Sequence, residues 1–155
     1  MLWFSALLLA PLSGFQAAPQ QQCTAMDANL PASLAVWATP GHGSPTDVTK
    51  PVVLAGVDAG RVAGLPASAK PGKVTAIGFN VDMPGIYGVA VDQSVWIDVV
   101  SAGGGAPFTS VKHGHGPECS TIRKIVRFAL KPGEYVIYLS GISSVNVKVM
   151  LVAPE

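Results

Sequence analysis

Phe128-Ala-Leu-Lys-Pro-Gly-Glu-Tyr-Val-Ile-Tyr-Leu-Ser140, a Gly-Ile-Ser-Ser turn, and then Val145-Asn-Val-Lys-Val-Met-Leu-Val152 form the stretch that decides the fold. Tyr135, Ile137 and Leu139 recur at every second residue, as do Val145, Val147, Val149 and Leu151, while Asn146 and Lys148 fall between them. Successive side chains of an extended chain point to opposite faces. The alternation therefore predicts antiparallel strands with one buried and one wet face.

The same grammar continues outward. Val74 to Val81, Gly85 to Val91, Val95 to Ser101, Phe108 to Lys112 and Ile122 to Leu130 are strand-length runs rich in β-branched residues. Asp82-Met-Pro-Gly, Asp92-Gln-Ser, Ala102-Gly-Gly-Gly-Ala-Pro and Lys131-Pro-Gly supply turns between them. Nearer the start, Leu30 to Trp37 reads as a first strand, Pro51 to Ala55 as a short apolar run, and residues 56–72 as irregular. No window of about 11 residues or more carries a helical stripe. The expectation is an all-β chain: a single antiparallel β-sandwich or jelly-roll-like domain over residues 30–153.

Of 155 residues, 49% are hydrophobic and only 12% charged, about half the usual charged share near 25%. Ten Lys or Arg against nine Asp or Glu leave a net charge of +1, so no global field favours nucleic acid or anionic lipid. Met1 to Leu12 is an apolar run followed by the small residues Ser13, Gly14, Ala17 and Ala18. This pattern predicts a signal peptide over residues 1–18 and a flexible leader over 19–29. It is too short to cross a bilayer, which takes about 20 apolar residues, and no later segment is longer. A periplasmic or secreted protein is expected, without a transmembrane span in the mature chain. The two cysteines, Cys23 and Cys119, agree with that compartment, where an even pair reads as a disulfide.

Phe79-Asn-Val-Asp-Met-Pro-Gly-Ile-Tyr87, Trp96-Ile-Asp-Val-Val100 and Phe128 to Tyr138 resemble the strand–Pro-Gly-Tyr–strand pattern of pre-peptidase C-terminal (PPC-like) domains. That resemblance implies a small secreted β-sandwich accompanying exported enzymes. Ala35-Val-Trp-Ala-Thr-Pro40, Val95 to Val100 and His113-Gly-His-Gly-Pro-Glu-Cys-Ser-Thr-Ile-Arg-Lys124 are similar to a family of short exported bacterial proteins often labelled homogentisate 1,2-dioxygenase. Genuine enzymes of that name are larger cupin proteins that hold ferrous iron with two His and a Glu. The resemblance thus implies a metal-dependent oxidoreductase as the alternative to a binding module.

The chemistry concentrates between Lys112 and Lys131, where five Lys or Arg meet one Glu. His113 and His115, two apart in an extended chain, would face one way about 6–7 Å apart. With Glu118 they form a candidate set for a divalent Zn, Cu or Fe ion, and His42 is a further candidate ligand. His-x-His followed by Glu resembles part of the first cupin motif, but the spacing to Glu118 is one residue short and no second motif follows. Arg123 and Lys124 are candidate binders of a carboxylate or phosphate. Strand alternation alternatively sends Arg123 and Arg127 to the solvent face, as charges guarding an edge strand. Trp37 and Trp96 are expected to pack on the sheet. There is no GxSxG, CxxC or phosphate loop and no carboxylate pair, so catalytic residues stay unassigned. An exported binding or accessory protein for an unknown small molecule or protein partner is the leading expectation.

Overall fold

The structure, a computed structural model, describes residues 22–39 and 47–154; the expected signal peptide and His42 lie outside the described residues. Its strands are β1 (Val52–Ala55), β2 (Lys73–Val81), β3 (Gly85–Val91), β4 (Trp96–Ser101), β5 (Lys112–Gly114), β6 (Lys124–Leu130), β7 (Gly133–Ile142) and β8 (Asn146–Val152). One antiparallel sheet runs β1-β8-β3-β6-β5 and the other β2-β7-β4. Strand accounts for 43% of the structure and helix for 8%, and the two sheets form an all-β sandwich rather than a closed barrel.

Alternation builds the core. Ile77, Phe79, Ile97, Val99, Ile137 and Leu139 from the smaller sheet meet Val89, Val91, Val126, Phe128, Val147 and Val149 from the larger one. Two turns share one device. In Met83-Pro-Gly-Ile-Tyr87 and Lys131-Pro-Gly-Glu-Tyr135, the tyrosine hydroxyl donates to the carbonyl four residues back, at 2.8 Å in both. Each buried ring is thereby anchored at its polar end.

The outer faces are covered too. The segment expected as a first strand is instead a 3-10 helix, Ala32–Ala38. Three residues per turn put Leu34 and Trp37 on one side, where they join Ala90, Ile122, Ile125, Met150 and Val152 on the back of the larger sheet. Trp37 is fully buried, its indole N–H donates to Thr121 Oγ1 at 2.8 Å, and Lys148 Nζ lies 4.4 Å above its ring. Residues 56–72 run across the back of the smaller sheet. Ser68 donates to the Asp98 carboxylate at 2.9 Å and the Lys70 amide to Ser140 at 2.9 Å.

The leader, expected to be flexible over 19–29, is fastened from Cys23 onward. Cys23 and Cys119 form a disulfide. The Asp27 amide donates to the Cys119 carbonyl at 2.8 Å, and the Thr121 amide to the Asp27 carboxylate at 2.7 Å.

The expected strand from Phe108 to Lys112 is also displaced, to Lys112–Gly114. The Phe108 amide donates to Val99 of β4, whereas the Val111 amide donates to Arg127 of β6. Residues 108–111 therefore pass from one sheet to the other, and no continuous ladder forms along them.

Candidate functional site

The crossover creates the site. It bridges the sandwich where β4 and β5 are the outermost strands of their sheets. Below it lies a cleft of about 510 Å³ lined by Trp96, Ile97, Asp98, residues 108–110, His113, Lys124, Val126 and Phe128. Ile97, Val126 and Phe128 are buried core residues and give it an apolar floor, while Phe108 and Trp96 are 39% and 42% exposed at its rim.

Register places the polar groups. In β6, Val126, Phe128 and Leu130 turn inward to the core and Ile125 turns to the back. By the same period, Lys124 ends the inward row. Its ammonium spans the gap between the sheets and donates to the Val95 carbonyl, before β4, at 2.6 Å. Partial burial holds the Lys124 amine below its ordinary value of 10.5, because the charged form is poorly solvated there. His113 pairs with Val126 across β5 and β6, so it shares the inward side with Lys124.

A second cavity, of about 110 Å³, adjoins the first and shares His113 and Lys124 with it; Ser94, Gly114, His115 and Arg123 complete the lining. One Arg123 guanidinium nitrogen lies 3.3 Å from His115 Nδ1. Guanidinium only donates, so Nδ1 accepts and a neutral His115 carries its proton on Nε2. The one ion pair recorded among the described residues joins Lys73 to Asp58. Arg123 and Lys124 thus have no carboxylate partner among those residues, and both rest on neutral acceptors.

The loop between the histidines and β6 is tightly determined. A Cβ at Gly116 would lie 2.1 Å from the Ile122 carbonyl oxygen, so only glycine fits there. Cys119 adopts φ +56°, a left-handed conformation unusual outside glycine, next to the disulfide. Ser120 closes the turn by donating to the Pro117 carbonyl at 2.8 Å.

The structure therefore brings His113, His115, Arg123 and Lys124 around one cavity. Glu118 does not line it. Among the described residues no three His, Cys, Asp or Glu side chains form a group able to hold a metal ion, so Glu118 does not complete the histidine pair. Two sequence expectations change. Arg123 is exposed, as alternation predicted, yet it turns to the cavity through His115. Trp37 is buried, but Trp96 is a rim residue of the cleft, with Lys70 Nζ 4.5 Å from its ring. Ser94, Phe108 and the Val95 carbonyl were not singled out in the sequence. Trp96 carried a signal, since alternation with the inward Ile97 and Val99 turns it away from the core. Compared with known proteins, the chain matches no family model, no curated protein and no solved structure.

Proposed function

We infer that the chain is an exported binding module that takes up the anionic group of a small molecule at His113, His115, Arg123 and Lys124. A single observation carries this reading: two cations without carboxylate partners among the described residues and two imidazoles line one small cavity. A site of uncompensated positive charge attracts an anion, and side-chain forks such as that of Arg123 suit a carboxylate or phosphate. The disulfide and the hydrogen-bonded loop hold the segment in place, which favours binding by lowering the ordering cost. Export is supported by the apolar N-terminal run and by the disulfide, a bond that persists in oxidising compartments. No helix among the described residues is long and apolar enough to cross a membrane.

Calorimetric titration with sodium acetate and sodium phosphate tests the reading. Saturable binding at pH 7 is expected, weakened at least about tenfold in Arg123→Gln/Lys124→Gln, where each removed charge-assisted hydrogen bond contributes about 1.5–3 kcal/mol. Absence of binding, or an affinity unchanged in the double variant, would overturn it.

A further inference from the structure

The anion cavity is not isolated: it shares His113 and Lys124 as lining residues with the larger cleft. The smaller has Arg123, Lys124, His113 and His115 among its lining residues. The larger has Ile97, Val126 and Phe128 beneath it and the partly exposed rings of Phe108 and Trp96 at its rim. Its one carboxylate, Asp98, is buried and accepts from Ser68. A cleft of about 510 Å³ falls within the range of small-molecule sites, about 300–1,000 Å³, whereas about 110 Å³ holds little more than an anionic head.

We propose that the ligand is a hydrophobic monocarboxylate, its head among His113, His115, Arg123 and Lys124 and its apolar body in the cleft under the 108–110 crossover. This rests on the anion reading above and adds the second compartment to it. The head is assigned as carboxylate because the planar guanidinium fork of Arg123 matches a planar two-oxygen group and the cavity, about 110 Å³, is small. The body is assigned as apolar because the cleft floor is continuous with the core, so a ligand seated there removes hydrocarbon surface from water on both sides.

Four probes divide the claim: acetate carries the head alone, 1-naphthalenemethanol the body alone, 1-naphthoate both, and 1-naphthyl phosphate the same body on a different head. Binding of each to the disulfide-intact protein is measured by calorimetry. Phe108→Ala and Arg123→Gln/Lys124→Gln are measured beside it, with circular dichroism and a thermal midpoint to establish that each variant folds. The expected result is 1-naphthoate bound at least about tenfold more tightly than either acetate or the alcohol, from burial of its rings. Phe108→Ala then brings 1-naphthoate towards acetate and leaves acetate unchanged, while the double variant weakens both acids. Equal binding of acetate and 1-naphthoate overturns the cleft assignment and leaves the anion reading standing. Tighter binding of 1-naphthyl phosphate overturns the carboxylate assignment alone. An alcohol that binds as well as the acid, or acids indifferent to the double variant, overturns both the inference and the reading beneath it. Should Phe108→Ala fail to fold, Trp96→Ala at the opposite rim carries the same comparison.

Discussion

At Lys124 the inward row of β6 ends on an ammonium where Val126, Phe128 and Leu130 would lead one to expect another apolar side chain. Its single recorded protein acceptor is the Val95 carbonyl, and the remaining donors are available to an anion. Partial burial penalises the charge and lowers the amine's pKa from 10.5. The sign of the consequence follows from proton counting. Between the folded and unfolded values the unfolded chain binds more protons, so this group makes stability rise with pH through that window, and its penalty is fully present below it. In Lys124→Met that rise should vanish from the thermal midpoint measured as pH is raised from about 7 towards the ordinary lysine value of 10.5, while the midpoint at pH 7 stays equal or increases. His113, His115, Arg123 and Asp98 line the two cavities together with Lys124 and are kept constant in that comparison. A lower midpoint at pH 7 with the rise intact would contradict this account. Anion affinity should fall over the same window as the amine loses its charge.

Among the elements, the 3-10 helix Ala32–Ala38 shows how an unpromising segment becomes structural. Its Leu34 and Trp37 cover the back of the larger sheet, and Trp37 ties the helix to Thr121, which binds Asp27 beside the disulfide. Trp37→Ala should therefore destabilise the fold by about 3–5 kcal/mol, read from chemical denaturation, because a fully buried ring leaves a large cavity. A loss below about 1 kcal/mol would mean that the helix is not part of the cooperative unit. The sequence hid this element for a physical reason. Ala-Ser-Leu-Ala-Val-Trp-Ala is too short and alanine-rich for a period to show, and its conformation is set by the sheet it covers. By contrast β2, β3, β6, β7 and β8 were legible, since each keeps an inward apolar row along its length. The segment from Phe108 was misread because strand propensity says nothing about whether successive amides find partners in the same sheet. The histidine pair and the Arg123–Lys124 pair were visible as a charged stretch. Their convergence was not, since it depends on the β5–β6 register and on Gly116 packing against Ile122.

On the scale of the whole molecule, the two sheets meet along a core whose margin between β4 and β5 is bridged by the crossing segment 108–111. There core residues line an open cleft, and there His113, His115, Arg123 and Lys124 come together. The disulfide joins the leader to the loop that carries them, so stability and site geometry depend on the same bond. Nuclear magnetic resonance of the His113 and His115 rings during titration with 1-naphthoate tests the account most directly, with each resonance assigned through a His→Gln variant. Both rings should shift along saturating curves with one common midpoint, and both responses should disappear in Arg123→Gln/Lys124→Gln. Rings that stay unmoved while the ligand binds elsewhere, or that respond equally in the double variant, would contradict it.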